Sequence, residues 1–180
     1  MSLTAGGFPA TVRAGFTNPF TVTAFDAFAN VATGYTGAVT LTSSDPQAAF
    51  TPTTYTFTAA DAGRKVVPTT LKTASVQSVT ATDGGGLTAQ QTGIIVTPAA
   101  ASSLAISGFP AAVVAGTTNT LTLTAIDAFG NRATGYRGTV GLTSTDAAAV
   151  FPTPLYTFTA ADAGAHPFTG VILKTAGTRR

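Results

Sequence analysis

The chain has 180 residues, 44% of them apolar and only 9% charged, and its net charge of +2 comes from nine scattered Lys and Arg residues. That distribution argues against a nucleic-acid partner, which requires a clustered basic patch. No apolar run approaches the roughly 20 residues of a spanning helix, so no membrane insertion is expected, and the lack of Cys excludes disulfides and thiolate metal ligands.

The chain contains one long stretch twice. Residues 20–45 return at 121–146, 101 residues later, and 17 of the 26 positions are identical. A nine-residue block that begins at Tyr55 recurs without change from Tyr156. A repeat of about one domain length predicts two tandem domains of similar fold.

Module 1 is predicted at residues 1–98, a short linker at 99–103 and module 2 at 104–180. Short segments of alternating apolar and polar residues are separated by Gly, Pro, Asn and Asp, as in strands joined by turns. Module 1 has about seven such segments: 2–9, 20–24, 38–43, 55–58, 66–73, 77–82 and 87–97. The chain has 37 Thr residues, and Thr is β-branched and favours strands. We therefore predict an all-β protein of two tandem antiparallel β-sandwiches.

The alternation also predicts which side chains are buried. Phe20, Val22 and Ala24 share one face of their strand, and threonines occupy the other. The equivalent positions of module 2 are again apolar. Pro68 cannot donate a hydrogen bond to a neighbouring strand, so we expect the segment 66–73 to lie near a sheet edge or a bulge.

Module 2 has no counterpart of the last two segments of module 1, 77–82 and 87–97. One residue is inserted before this point, because Leu71 matches Leu173 with a shift of 102. Two missing strands leave backbone groups unpaired and uncover apolar side chains. We expect partial disorder, aggregation, or strand exchange in which a strand from another chain completes module 2.

Asp is the only acidic residue type, and six of the seven Asp residues pair across the repeat. Each lies beside Gly, Asn or Ser at a strand end, which predicts that its side chain accepts hydrogen bonds from turn amides. Calcium is the alternative, because its sites need several oxygen ligands. The candidate calcium ligands are Asp26, Asn30, Asp83, Asp127 and Asn131.

Catalytic interpretations are weaker. Asp45 and Asp61 could form a glycosidase-type pair, but a pair that is duplicated in both modules is more simply a repeated fold element. His166 is the only His and is expected to be an exposed strand residue. Tyr35 and Tyr136 are expected to pack their rings on the core and to satisfy their hydroxyls at a turn. No catalytic residue and no cofactor are predicted.

The segment Asp26-Ala-Phe-Ala-Asn30, followed by Thr33-Gly-Tyr-Thr-Gly-Ala-Val-Thr-Leu-Thr-Ser-Ser-Asp45, resembles the bacterial Ig-like (BIg-type) repeats of invasin- and intimin-like surface proteins. Module 1 has Ala29 where module 2 has Gly130, which predicts a less tight turn. The resemblance implies Ig-like β-sandwiches that act as non-catalytic spacers in an extracellular or cell-surface stalk. Their partners would be neighbouring Ig-like repeats of the same chain.

Two other functions stay open. The chain could be an adhesion module that binds a carbohydrate or a protein, which would require an exposed patch in one module only. Phe16, Phe25 and Ile126 are module-specific candidates for such a patch. It could also be an accessory Ig-like module of a secreted polysaccharide-degrading enzyme.

Overall fold

The computed structural model describes residues 1–179. The chain divides into two compact units, unit 1 with residues Met1–Thr97 and unit 2 from Pro98 onwards. Both units are built from β-strands, and the predicted all-β, Ig-like sandwich fold is confirmed. The described residues include one short 3-10 helix, Ala59–Asp61, and contain no helix long and apolar enough to cross a membrane.

Unit 1 has nine strands in two sheets. They are β1 (Ser2–Gly6), β2 (Thr11–Arg13), β3 (Thr17–Phe25), β4 (Ala38–Ser43), β5 (Ala49–Phe50), β6 (Thr54–Thr56), β7 (Arg64–Thr70), β8 (Val76–Asp83) and β9 (Thr88–Thr97). One sheet has the order β1-β3-β7-β5 and the other the order β2-β9-β8-β4-β6. Neighbouring strands are antiparallel except β2 and β9, which run parallel.

The core of unit 1 follows the alternation of its strands. Phe20, Val22 and Ala24 of β3 are at most 1% exposed, as the sequence predicts. Phe57 and Ile94 belong to the same buried set. Several Thr hydroxyls pair across strands on the exposed faces, which suits a β-branched residue on a half-solvated sheet. These pairs are Thr17 with Thr70 and Thr40 with Thr54 in unit 1, and Thr139 with Thr157 in unit 2.

Unit 2 has five strands. They are β10 (Ala101–Ser107), β11 (Thr118–Asp127), β12 (Thr139–Gly141), β13 (Leu155–Thr157) and β14 (Ala165–Ile172). They form a sheet of order β10-β11-β14 and a pair β12-β13. Leu121, Leu123, Phe158 and Phe168 form the centre of its core. Among the residues described, no strand of unit 2 corresponds to β8 or β9 of unit 1, as expected from the sequence.

The linker differs from the sequence-based expectation, and the position of Pro68 agrees with it. Strand β10 begins at Ala101 and pairs with β11, so residues 101–103 of the predicted linker are part of a strand, and three residues connect β9 to β10. Strand β7, which contains Pro68, lies near the sheet edge as expected, because only the two-residue β5 lies outside it and β5 pairs with Thr69 and Thr70 alone. The proline is tolerated because the C=O of Pro68 accepts a hydrogen bond from Thr51 on the β5 side, where the missing N–H would also point.

The inserted residue of unit 2 forms a β-bulge in β14. Opposite β11, the register shifts between Asn119 and Leu121. Gly170 lies at this shift with a φ of 79°, in the left-handed region. A side chain there would also meet Pro152, whose Cγ lies 2.8 Å from the position a Cβ would take, so the insertion requires glycine on two grounds.

Candidate functional site

The buried carboxylates close loops between distant segments. Asp45 follows β4 and is 3% exposed. Its Oδ2 accepts the backbone N–H of Lys72 at 2.5 Å and of Thr73 at 2.9 Å, and its Oδ1 accepts that of Gln47 at 2.8 Å. Burial alone would raise the pKa of Asp45, but the hydrogen bonds from Thr73, Lys72 and Gln47 outweigh burial and hold the pKa below its usual value.

Unit 2 repeats this arrangement. Asp146 is also 3% exposed and accepts the backbone N–H groups of Lys174 at 2.6 Å and Thr175 at 2.9 Å. The Thr175 hydroxyl adds a hydrogen bond of 2.7 Å, and the N–H of Ala148 adds one of 3.0 Å. Hydrogen bonds from Thr175 hold the pKa of Asp146 well below its usual value. These two carboxylates act as structural anchors, as predicted for turn aspartates.

A second loop type occurs around Asp26. One carboxylate oxygen of Asp26 accepts the N–H groups of Phe28 at 2.8 Å and Asn30 at 2.9 Å, and the Asp26 N–H donates to the Asn30 C=O. Hydrogen bonding from the Asn30 backbone is the main cause that lowers the pKa of Asp26. The five residues therefore form a hairpin loop that closes around its own first side chain.

The same loop occurs at Asp83 and Asp127. Asp83 accepts the N–H of Gly85 at 2.9 Å and of Leu87 at 2.8 Å, in the hairpin that joins β8 to β9. Asp127 accepts those of Phe129 and Asn131 at 2.8 and 2.9 Å. In each loop the fourth residue has a positive φ, which favours glycine. These residues are Ala29 (64°), Gly86 (87°) and Gly130 (85°).

The turn at Ala29 is not less tight than its counterpart at Gly130. The N–H of Ala29 lies 3.3 Å from the Asp26 C=O, and the N–H of Gly130 lies 3.2 Å from the Asp127 C=O. The hydrogen bonds are therefore kept, and the alanine occupies a backbone conformation that a Cβ disfavours. The substitution changes the strain of the loop and leaves its shape intact.

These loops contain all five calcium candidates, but in three separate places. The side-chain nitrogens of Asn30 and Asn131 face the carboxylates of Asp26 and Asp127, at 3.1 and 2.8 Å. A calcium ion needs oxygen ligands, so each asparagine amide would have to rotate and give up this hydrogen bond to the carboxylate. Among the described residues, no three His, Cys, Asp or Glu side chains come together as a metal site.

Two of the loops have an additional partner that the sequence does not reveal. The N–H of Ala99, in the segment between β9 and β10, donates to Asp127 at 2.9 Å, and Asp127 is only 3% exposed. The Tyr35 hydroxyl donates to Asp83 at 3.1 Å. Burial, then the Asp83 carboxylate, raises the pKa of Tyr35 to about 12.

The two repeated tyrosines pack as predicted. The ring of Tyr35 meets Phe57 edge-on at a centroid distance of 5.1 Å, and Tyr136 meets Phe158 in the same way at 5.0 Å. Each tyrosine folds back over the glycine two residues later. At Gly37 a Cβ would lie 2.2 Å from the Tyr35 hydroxyl oxygen, so only glycine fits beneath the ring.

Each aspartate of the third repeated pair belongs to a polar cluster on the surface of its own unit. Asp61 accepts hydrogen bonds from the N–H and hydroxyl of Thr58, both at 2.8 Å, and from the Tyr55 hydroxyl. Lys65 forms an ion pair with Asp61 at 3.2 Å, and its ammonium lies 3.9 Å from the centre of the Tyr55 ring. Hydrogen bonding from the Thr58 backbone is the main cause that holds the pKa of Asp61 well below its usual value.

In unit 2, His166 replaces the lysine in this cluster. Its Nδ1 lies 2.6 Å from the Asp162 carboxylate, and its ring stacks on Tyr156 at a centroid distance of 3.7 Å. The side chain is 25% exposed, so His166 is a half-buried member of the cluster rather than the exposed strand residue expected. The sequence signal for this contact is the spacing of four residues between Asp162 and His166.

The hypothetical glycosidase pair does not form. Asp45 follows the end of β4. Asp61 is the last residue of the 3-10 helix, which lies near the start of β4, because the N–H of Phe57 just before the helix donates to the C=O of Gly37 just before β4. The six residues of β4 span about 20 Å at 3.3 Å per residue. A glycosidase needs its two carboxyls within about 10 Å of each other.

The module-specific apolar candidates do not form a patch. Phe16 is 58% exposed, whereas Phe25 and Ile126 are half-buried. Among the described residues, the other large exposed aromatic is Phe28, which is 87% exposed at the tip of the Asp26 loop. Phe16 precedes β3 and Phe28 follows it, and nine residues of strand place them about 30 Å apart.

Unit 2 has an open groove lined by both apolar and polar side chains, which we call the unit 2 groove. Its volume is about 740 Å³. Its lining includes Ile106, Phe109, Val113, Leu121, Phe151 and Leu173.

No protein-family model and no curated protein matches the chain. Among solved structures, domains 4–9 of the surface layer protein SbsC match at 15% identity and a TM-score of 0.42, over 98% of this chain and 28% of that one. The Escherichia coli adhesin FdeC matches at 23% identity and a TM-score of 0.47, over 97% and 55%. Bacteroides uniformis β-glucuronidase 3 matches at 16% identity and a TM-score of 0.33, over 89% and 20%. The chain thus spans only part of each, and at these TM-scores none bears on function.

Proposed function

We propose that the chain consists of non-catalytic spacer modules from the stalk of a long bacterial extracellular or cell-surface repeat protein. The resemblance of its repeated stretch to bacterial Ig-like repeats supports this function. So does the use of its acidic side chains, because each pair of repeated aspartates holds backbone amides in the same place in both units. Side chains that are saturated by their own loops have little capacity left for chemistry.

The parallel pairing of β2 with β9 is the observation that carries the proposal. These strands lie near the two ends of unit 1. The N–H of Ile95 donates to the C=O of Ala10, and the N–H of Ala14 donates to the C=O of Thr97, both at 2.8 Å. When the ends of the unit are pulled apart, two parallel strands slide along each other, so these hydrogen bonds bear the load together rather than break one by one.

Single-molecule force spectroscopy on the chain, tethered at both ends, tests this function. We expect unit 1 to unfold in one event and to release a contour length of up to about 350 Å from its 97 residues. Unit 2 should yield at lower force, because residues 112–114, the counterparts of β2, do not form a strand. Val12→Pro removes an N–H from β2 and should lower the unfolding force of unit 1 more than Val12→Ala does.

A gradual extension of unit 1 without a distinct unfolding force would contradict the spacer function. Binding is the alternative, and it predicts a different result. Saturable binding of a soluble glycan that Phe28→Ala abolishes would favour an adhesion module, because Phe28 is the most exposed large aromatic side chain described in unit 1.

A further inference from the structure

A small pocket, which we call the edge pocket, lies beside His166 in unit 2. Its volume is about 150 Å³. A cavity of about this size binds benzene, so a single six-membered ring fits. The polar side chains that line the edge pocket are those of Thr153, His166 and Thr169. Its apolar lining includes Leu142, Phe151 and Phe168.

The edge pocket opens where the repeat changes between the units. In unit 1, β5 pairs with β7 along this edge, and the N–H of Thr51 donates to the C=O of Pro68 at 3.1 Å. In the described part of unit 2, a single bridge between Val150 and Ile172 takes the place of this pairing. Pro152 stands where unit 1 has Thr51 and has no N–H to donate, so the chain leaves β14 beside the β-bulge. Strands β8 and β9 belong to the other sheet of unit 1 and take no part in this edge.

The imidazole of His166 is held in one orientation by its neighbours. Its Nδ1 lies 2.6 Å from the Asp162 carboxylate, and its ring stacks on Tyr156 and meets Phe168 edge-on at a centroid distance of 4.9 Å. Hydrogen bonding from the Thr159 backbone is the main cause that holds the pKa of Asp162 well below its usual value, so this carboxylate is ionised and can only accept. The short contact therefore assigns a proton to Nδ1, and the neutral imidazole presents Nε2 as a hydrogen-bond acceptor.

This Nε2 is available to a ligand. None of the described residues forms a hydrogen bond with it, and Asp162, which Nδ1 faces, does not line the edge pocket. The hydroxyls of Thr153 and Thr169 also have no partner in the described part of the chain, and both side chains are exposed. Three polar groups at this edge thus have unused hydrogen-bonding capacity.

The chemistry of the edge pocket favours a neutral ligand with several hydroxyl groups. Its lining contains no Lys, Arg or Asp side chain, so it offers no counter-charge to an anion and no carboxylate to a metal ion. A ligand hydroxyl can donate to Nε2, and further hydroxyls can exchange hydrogen bonds with the two threonines. The carbon skeleton of the ring can pack on the apolar lining, as is common in small-molecule sites.

We propose that the edge pocket binds one neutral sugar ring of an uncharged glycan. Unit 1 has no equivalent site, because Lys65 occupies the position of His166 and donates to Asp61 and to the Tyr55 hydroxyl. A ligand of this size in an open pocket should bind with a dissociation constant of about 1–10 mM. The site is independent of the spacer function, because a module can bear load whether or not the pocket is filled.

Titration of the full chain with neutral methyl glycosides tests the proposal. The probes are the methyl glycosides of glucose, galactose and mannose, and cyclohexanol is the control with the same ring size and one hydroxyl. In two-dimensional NMR spectra, the amide signals of Thr153, His166 and Thr169 should shift in a saturable way with at least one glycoside. Those of Thr51 and Lys65, at the corresponding edge of unit 1, should not shift.

Matched variants locate the binding site. His166→Lys gives unit 2 the residue that unit 1 has in the same cluster, so Asp162 and Tyr156 keep a partner. Lysine has no acceptor, so binding should weaken at least about tenfold. The reciprocal variant Lys65→His should leave binding unchanged. Thr169→Val changes an exposed residue without altering its shape, and it should weaken binding about three- to tenfold even if His166→Lys disturbs the fold.

Three results would overturn the proposal. The first is that no glycoside shifts the amides of the edge pocket at up to about 50 mM, well above the expected dissociation constant. The second is that cyclohexanol shifts them as strongly as the glycosides, which would mean that the pocket selects an apolar ring. The third is that a folded His166→Lys variant and Thr169→Val both bind as tightly as the native chain. None of these results changes the force at which unit 1 unfolds, so the spacer function is tested separately.

Discussion

Replacement of Asp45 by Asn should destabilise unit 1 strongly. The carboxylate accepts three backbone N–H groups, two at Oδ2 and one at Oδ1. An amide has one acceptor oxygen, so it can keep the bonds from Lys72 and Thr73 but must turn its NH2 group towards the N–H of Gln47. The variant loses one charge-assisted hydrogen bond, which is worth about 1.5–3 kcal/mol, and its two remaining hydrogen bonds become neutral and therefore weaker. Together these changes should lower the free energy of unfolding of unit 1 by about 3–5 kcal/mol.

Native-state amide exchange of the β8 amides measures this change for unit 1 alone, which is necessary because a chain with two units does not unfold in one step. Asp26→Asn is the matched control, because Asp26 also closes a loop but does so at the surface. Asp26→Asn should lower the free energy of unfolding of unit 1 clearly less than Asp45→Asn does. A loss below about 1 kcal/mol for Asp45→Asn would refute the anchoring role of the carboxylate.

The same substitution predicts a pH dependence. The folded-state pKa of Asp45 lies below its unfolded-state value, so its contribution to stability is complete above about pH 4–5 and is lost as pH falls through the folded pKa. The native chain should therefore lose stability in acid. Asp45→Asn should lack that part of the acid loss, and parallel pH profiles of the two proteins would contradict the reasoning.

Four further results are expected. Phe57→Ala should cost about 3–5 kcal/mol, and a loss below about 1 kcal/mol in a denaturant melt would mean that the strand register is wrong. Ala29→Gly should stabilise unit 1 by about 1 kcal/mol and Gly130→Ala should destabilise unit 2, since both positions have positive φ; equal melting curves would contradict this. Gly37→Ala should displace the tyrosine ring above it and lower the melting temperature, whereas Gly34→Ala, with open space around it, should not. EDTA should leave the melting temperature unchanged, and a clear shift would favour calcium.

The buried strand faces could be predicted because alternation is a local property of the sequence. The apolar residues Phe20 and Val22 alternate with threonines along the strand, so the apolar side chains share one face and that face packs on the core. The second type of loop could be predicted only in part, since Asp26 and Asp127 repeat but the equivalent loop at Asp83 has a different sequence. The loop type at Asp83 depends on a positive φ at the fourth residue. Three consecutive glycines do not reveal which of them has that conformation.

Contacts between residues that are distant in sequence could not be predicted. The Tyr35 hydroxyl meets Asp83, 48 residues later, and Gln91 holds the backbone of Phe8, 83 residues earlier. Each depends on how the two sheets are stacked, which no local pattern encodes. The position of Pro68 near a sheet edge could be predicted, because the missing N–H is a local property, and the short strand outside β7 covers only Thr69 and Thr70.

The aspartate-closed loops have a consequence for protein engineering. Because the three tip residues of the Asp83 loop hold it through their backbone N–H groups, the loop makes no demand on their side chains beyond the positive φ of the last residue. Gly84 has no atom within 4 Å of the position its Cβ would take. The natural tips already differ, with Ala-Phe-Ala, Gly-Gly-Gly and Ala-Phe-Gly in the three loops. Residue 84 can therefore be exchanged for residues with larger side chains, provided that the backbone N–H of Gly85 still reaches Asp83 and that glycine or asparagine stays at 86.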